Sequence, residues 1–540
     1  MTPPEIRDIH QLADGDAVFV AMETPEAPCH IAGLSILDPS TRSDFDFESF
    51  LAVLCERIAM IPRFRWKLRE VPFGLDCAYW VEDPSFDIRA HVQRVALAAP
   101  GDRVTLARLA SFLHAQPLDR ARPLWECWWI EGLESGRVAV MIKLHHCLVD
   151  GQSGIGLTEI LMDLSPEPGQ TTGSANAHMA GHVAAHAAAN AAEAQPRPPQ
   201  LWEMGRRVIE NGFRRQSRMA LHAGRALRDL VRIPKSLPIS SSPSSSLASY
   251  LSSYRRLPRA LLTRDEPAVP RVAWNGSRLS RHRELAFTKL PLTPLRELKK
   301  HFDVKLNDVL LALVGGVLRA ALLERDELPT ASLVALCPVS LRDPGDQSMG
   351  NQLTSMPVSL ATHLADAGER LRAIHASADG AKRRTRDGAF EFITALGESL
   401  APAALHLVMQ TAHRAPRLAP MPGNLVCSNV RGLPIPTYMA GARVEELYPM
   451  SMLQVGSGMN VTAVSHDDQV DFGFLVDPKL VPDPWVFADR IPAALAELEA
   501  AAARQQPPVR RRPRVDPPGD SDPLDLSLLI ATVGRKHNPA

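Results

Sequence analysis

The chain has no net charge to draw a partner with: Lys plus Arg and Asp plus Glu number 60 each. Such a balance removes any global electrostatic case for nucleic acid or an acidic partner. Cysteine is scarce, and the seven (Cys29, Cys55, Cys77, Cys127, Cys147, Cys337 and Cys427) form no C-x-x-C pair. An odd, scattered set argues against a disulfide framework or a zinc site and fits a reducing cytosol. Long apolar runs are missing too. The strongest, Val309 to Leu323, is interrupted by Gly315, Gly316 and Arg319. It falls short of the roughly 20 residues that span a bilayer, so any membrane contact is expected to be peripheral. The opening MTPPEIRDIHQLADGD has no basic and apolar signal pattern, which points to a cytoplasmic protein. Nor is there a Rossmann fingerprint, a P-loop or a G-x-S-x-G elbow.

What is present is a chain of 540 residues, 45% hydrophobic and 22% charged. That length predicts two or more globular domains. Residues 1–165 read as a mixed α/β domain. Leu51, Leu54, Ile58 and Ile61 share a helical face, as do residues of Val104 to His114. Trp125 to Ile130 and Val138 to Leu144 read as two strands joined by a turn. Gly156 to Leu164 reads as a helix that stops at Ser165-Pro166.

Residues 166–280 read as a linker. Its Ala-rich part carries His178, His182 and His186 at helical spacing, but a linker offers no surroundings to orient metal ligands. Trp202 to Lys235 has nine basic against three acidic residues. Trp202, Ile209, Phe213, Ala220, Leu227 and Val231 approximate one stripe of this helix. Either an anionic membrane surface or a neighbouring domain suits that pattern. Residues 281–503 read as a second α/β domain, with helices at Pro294 to Phe302 and Leu306 to Leu323 and strands near Leu333, Leu425, Met459 and Val470. Residues 504–540 read as a disordered Arg/Pro-rich tail.

One motif carries chemistry. The run VAVMIKLHH ends at His145-His146, and Asp150-Gly151 follows in a turn that Gly151 eases. A histidine at a strand end suits general-base work near neutral pH. Asp150 either orients an imidazole or holds the turn. A metal would need a further ligand, and strand alternation sends the two rings to opposite faces. A purely structural pair stays open on spacing alone.

HHCLVDG resembles the H-H-x-x-x-D-G motif of acyl-CoA-dependent acyltransferases and of peptide-synthetase condensation domains. PLWE at Pro123, LNDVLLA at Leu306, PVSLR at Pro338, GNQLTSMPVSL at Gly350, SNVRGLP at Ser428 and AGARVEELYPM at Ala440 are similar to the bacterial wax ester synthase/diacylglycerol acyltransferase family. Cys337 and Arg431 depart from its usual residues. The resemblance implies two chloramphenicol-acetyltransferase-like domains with a tunnel between them. It implies transfer of a long-chain acyl group from acyl-CoA to diacylglycerol or a long-chain alcohol, with acyl-CoA as substrate and no cofactor or metal. His146 would be the base, His145 and Asp150 would assist, and Gly151 would allow the turn. Asn307 would be a polar contact from the second domain. Asp308 would anchor a helix start or the domain boundary, although Asn at an N-cap followed by Asp is also ordinary capping. The same resemblance implies a peripheral place on the inner membrane face or on lipid inclusions. Two rivals are a lipid-surface binding protein without turnover and a condensation-like enzyme using carrier-bound acyl groups.

Overall fold

A computed structural model describes residues 9–148, 161–167, 196–232, 269–340, 353–386, 400–417, 421 and 423–504. In the first part of the chain these are β1 (His10–Gln11), α1 (Asp14–Met22), β2 (His30–Asp38), α2 (Phe47–Ala59), β3 (Trp66–Arg69), β4 (Tyr79–Glu82), β5 (Val92–Ala96), α3 (Arg103–Ala115), β6 (Trp125–Glu131) and β7 (Val138–His145). A long helix, α4 (Leu201–Arg232), follows. The later part comprises β8 (Glu284–Pro291), α5 (Leu292–Phe302), α6 (Leu306–Glu324), β9 (Val334–Ser340), β10 (Leu353–Ser359), α7 (Ala367–Arg386) and α8 (Pro402–Arg414). It closes with β11 (Leu425–Arg431), β12 (Tyr438–Met439), β13 (Ala442–Met450), β14 (Met459–His466), β15 (Gln469–Val476), α9 (Trp485–Ala488) and α10 (Ile491–Arg504). Most of the expected Gly156–Leu164 helix, residues 168–195 of the linker with its three histidines, and the tail beyond Arg504 lie outside the described residues.

Local chemistry sets the helix starts. Asp46 accepts the Ser49 amide at 2.8 Å while Ser49 Oγ accepts the Asp46 amide at 3.0 Å. This reciprocal pair satisfies donors that the first turn of α2 leaves open. Asp102 caps α3 through the Thr105 amide at 2.8 Å.

Two six-stranded sheets carry the fold, with strand orders β12-β13-β2-β7-β6-β5 and β10-β9-β11-β14-β15-β8. Both mix parallel and antiparallel pairs. This is the mixed α/β class that the motif pattern implies. Strand β7 lies between two antiparallel neighbours, so its last residues are held from both sides. The first sheet borrows from the far end of the chain: β13 pairs with β2, placing Val444 opposite Leu37 and Met450 opposite Ala32. Strands β13 and β15 meet closely there. A Cβ on Gly473 would come within 1.9 Å of the Pro449 carbonyl oxygen, so only glycine fits. Helix α6 is long and apolar enough to cross a membrane, yet most of it is buried against the sheet β10-β9-β11-β14-β15-β8 and its flanking helices.

Helix α4 docks by a face that its apolar stripe does not occupy. Met204 and Val208 join Val71 and Tyr79 in a small cluster. Asn211 donates to Asp76 at 2.8 Å, Arg215 pairs with Asp76 at 2.6 Å and Arg218 with Asp14 at 2.7 Å. Trp202, Ile209 and Phe213 stay 59%, 62% and 68% exposed. This part of the stripe therefore does not cover a neighbouring domain.

Candidate active site

The histidine pair sits where β7 ends. Side chains on β7 alternate, so Lys143 and His145 share the face that meets α3, while Leu144 enters the opposite core. The Lys143 ammonium is fully buried. It donates to the Leu113 and Gln116 carbonyls at 3.0 and 2.9 Å and pairs with Glu126 at 2.9 Å. Burial lowers its pKa, and Glu126 opposes the shift. These bonds tie the end of α3 to β7 just before the histidines. His30, opposite His145 in the ladder, meets the His114 ring edge-on at 4.6 Å. Burial holds both His30 and His114 well below the usual imidazole range, so both are neutral.

The two motif histidines occupy different settings. His145 is buried. Its Nδ1 meets the Cys147 amide at 3.2 Å, and its Nε2 points toward Glu23. That nitrogen lies 3.7 Å from Glu23 Oε2, an ion-pair distance rather than a hydrogen bond. His146 is half-buried. Its amide donates to the Cys29 carbonyl at 2.9 Å, and its ring stacks on Phe19 with centroids 4.0 Å apart. The turn after β7 closes where the Leu148 amide donates to the His145 carbonyl at 3.0 Å. Asp150 and Gly151 lie outside the described residues.

Glu23 joins these parts. Arg120 pairs with it at 2.7 Å and also donates to the Val20 carbonyl at 2.8 Å. Burial opposes ionisation of Glu23, but His145 and Arg120 together outweigh it and hold the carboxyl at about 2. Its other oxygen accepts the Cys29 amide at 3.2 Å. Helix α8 braces this group from outside, where His406 Nδ1 donates to the Ala21 carbonyl at 2.9 Å. Cys29 and Cys147 flank the histidines, but burial, with Glu23 nearby, pushes both thiols up. Neither is a thiolate nucleophile.

The Asn307-Asp308 pair stands apart. Helix α6 starts at Leu306 with Lys305 as its N-cap, so Asn307 is inside the first turn rather than capping it. Asn307 lines a narrow recess with Leu311, Cys427, Ser428, Asn429 and Val461. Asp308 is buried. It accepts the Lys305 amide at 3.0 Å and meets His375 Nδ1 at 2.6 Å. It thus ties α6 to α7 within its own half of the molecule. Among the described residues, neither is hydrogen-bonded to the histidine pair. Phe19, Glu23 and Arg120 were invisible to motif reading, because they reach the site only through folding.

This is the fold of acyl-transferring enzymes. The wax ester synthase/diacylglycerol acyltransferase from Marinobacter aquaeolei VT8 superposes with a TM-score of 0.60 at 24% identity, over 92% of this chain and 100% of that one. The first condensation domain of the calcium-dependent antibiotic synthetase follows at 0.51 and 15% identity, over 93% and 97%. The sequence narrows the class. Residues 12–310 match the wax ester synthase/diacylglycerol acyltransferase catalytic domain, and residues 349–499 match the WS/DGAT C-terminal domain. A Mycobacterium tuberculosis protein named as a diacylglycerol O-acyltransferase is 33% identical over 505 residues, covering 91% of this chain and 90% of its own. Another from the same species is 33% identical over 503 residues, covering 90% and 98%. The chain belongs to the wax ester synthase/diacylglycerol acyltransferase family, and it is an acyltransferase.

Proposed function

We propose that this enzyme moves a long-chain acyl group from acyl-CoA to the hydroxyl of diacylglycerol or a long-chain alcohol, with His146 as general base. The observation that carries the reading is the setting of His146. Its backbone is fixed to Cys29 and its ring to Phe19, while part of the residue faces solvent. His145 is committed to Cys147 and Glu23 inside the protein and acts by positioning. In the reaction, the hydroxyl oxygen attacks the thioester carbonyl as His146 takes the hydroxyl proton. The tetrahedral intermediate then expels the CoA sulfur, which takes that proton as the C–S bond breaks. The thioester is already activated, so the transfer needs neither a covalent enzyme intermediate nor a resident cofactor.

His146→Ala is expected to lower thiol release from palmitoyl-CoA by about 10²–10⁴-fold with diacylglycerol or hexadecanol as acceptor, while the circular dichroism spectrum is kept. Release at the wild-type rate would sink the assignment.

The same reading places the enzyme on the cytoplasmic face of the membrane or on lipid inclusions. Its support is the exposed Trp202, Ile209 and Phe213 stripe, with Arg206 beside it. Burying aromatic and aliphatic side chains in the headgroup region, with cations near anionic lipid, is how an interfacial helix binds. Replacing Trp202 and Phe213 by Glu is expected to abolish sedimentation with phosphatidylglycerol vesicles. Unchanged sedimentation would remove this helix from the interface.

A further inference from the structure

Helix α8 is packed the wrong way round for a helix that faces water. Its polar side chains turn inward. His406 Nδ1 donates to the Ala21 carbonyl at 2.9 Å, and Gln410 Nε2 meets His406 Nε2 at 2.8 Å. Leu405, on the same side, is buried. Positions three and four apart share a helix face, so Ala403, Leu407, Thr411 and Arg414 form the outward row, with Val408 beside it. All five are exposed, Leu407 by 62%. A surface helix of a water-soluble domain shows the opposite order, apolar in and polar out.

The apolar row continues beyond the helix. A Cβ on Gly74 would lie 3.1 Å from the Ala403 Cβ, so the turn at residues 72–75 abuts the start of the row. Phe73 in that turn is 90% exposed, and its φ is +60°, a region that bulky residues rarely enter. Val71, just before the turn, shares a buried cluster with Met204 of α4. Helix α4 has the same inverted order. Asn211 and Arg215 turn inward to Asp76, and Ile209 and Phe213 turn outward. Two helices with apolar outer faces therefore flank one turn with an exposed phenylalanine at its tip.

The other end of the row is basic. Arg414 lies seven residues from Leu407, about 10 Å along the helix. It lines a surface cavity of about 520 Å³ with Arg278, Arg417 and Lys479. Among the described residues, none of these four cations has a carboxylate partner. The Arg278 Nε donates to the Arg414 carbonyl at 2.7 Å, which fixes its direction and leaves its other N–H groups available. Like charges gathered around one concavity are stabilised by an anion.

An apolar row ending in unmatched cations matches an anionic phospholipid surface, with acyl chains below and phosphates at headgroup level. We propose that α8 and the 72–75 turn form a lipid-docking surface, with Phe73, Leu407 and Val408 entering the interface and the Arg278–Arg414 cavity holding phospholipid phosphate. The inference rests on the lipid-acceptor reading above and adds a second surface to the α4 stripe. Its place suits that reading, because the Ala21 carbonyl that α8 grips lies two residues from Glu23, beside the histidines.

The local test is a bimane fluorophore on Leu407→Cys in a Cys55→Ser background of the full chain, since the other six cysteines are buried. Phosphatidylglycerol vesicles with brominated acyl chains are expected to quench it relative to bromine-free vesicles. Phe73→Ser/Leu407→Gln is expected to weaken sedimentation with phosphatidylglycerol vesicles by about tenfold to a hundredfold, the α4 stripe being intact. Arg278→Gln/Arg414→Gln is expected to weaken it by roughly tenfold and to leave binding to phosphatidylcholine vesicles unchanged. Thiol release from palmitoyl-CoA with a water-soluble alcohol is expected to stay at the wild-type rate in both variants, which confirms their fold. A wild-type-like protein that sediments with its position-407 fluorophore unquenched would overturn the proposal, leave the α4 reading standing and make α8 a protein contact. Equal losses on both kinds of vesicle in the arginine variant would strike the cavity from the surface. Wild type that does not sediment at all would overturn the peripheral-membrane reading itself.

Discussion

Glu23 is the residue on which the site's internal order depends, and it does so as a charge. Its carboxylate meets Arg120 at 2.7 Å and His145 at 3.7 Å. A folded-state value of about 2, against 4.5 for a free Glu, means that the unfolded chain binds more protons between these limits. Stability from this group is therefore complete above about pH 4.5 and drains away as the pH falls toward 2. The size is on the order of 2–3 kcal/mol, trimmed because Arg120 is partly open to solvent. Glu23→Gln is expected to lose that amount at pH 7 in urea unfolding and to flatten the stability curve between pH 4.5 and 2. A variant whose curve parallels wild type across that window would show that the carboxylate is not the source. The family resemblance implies different roles for His145 and His146, and the structure gives the two rings different settings. Motif reading had no access to Glu23, because METPE carries no short-range signal and its partner Arg120 lies 97 residues away.

At the scale of elements, periodicity read well wherever a segment buries one face against near neighbours. The strands β6 and β7, the helices α2, α3, α5 and α6, and the hairpin of β14 and β15 all stand close to where their patterns put them. Other strands gave no such pattern, β10 and β13 among them. Strand β10 contains Pro357, and β13 carries the adjacent acids Glu445 and Glu446. In the sequence each stands out only as a run of family-like residues. Pro357 is tolerated because β10 is an edge strand, paired on one side only. The polar residues of β13 face the junction between sheets, where Arg137 pairs with Glu445 and Lys289 with Glu446. A strand whose partners lie some 400 residues away cannot be assigned to its sheet from local sequence, since its register is set by contacts that exist only after folding. Helix α4 makes the same point in reverse. Its stripe was legible, but which face docks depends on Asp14 and Asp76, far away in sequence.

For the molecule as a whole, stability turns on how the two sheets join, and one buried acid marks that junction. Asp471 on β15 is fully buried. The Leu447 amide of β13 donates to it at 2.8 Å, and Gln469 donates at 3.0 Å. Burial, with Glu446 nearby, outweighs these donors and Lys289 and raises its carboxyl to about 7. The sign is opposite to that of Glu23. Between about pH 4 and pH 7 the folded protein keeps a proton that the unfolded chain releases, so stability falls as the pH rises through that range. A shift from 3.8 to about 7 is worth roughly 4 kcal/mol as an upper figure. The two carboxylates together give a stability maximum near pH 4–5, falling on both sides. Asp471→Asn keeps the shape, lacks the ionisation and is expected to abolish the decline between pH 4 and 7 while leaving the acid limb in place. Urea midpoints measured at intervals from pH 3 to pH 8 separate the two limbs. If the decline persists undiminished in Asp471→Asn, ionisation of Asp471 is not its source, and the junction is held without a protonated carboxyl, by the Arg137–Glu445 and Lys289–Glu446 pairs and the close β13–β15 approach at Gly473.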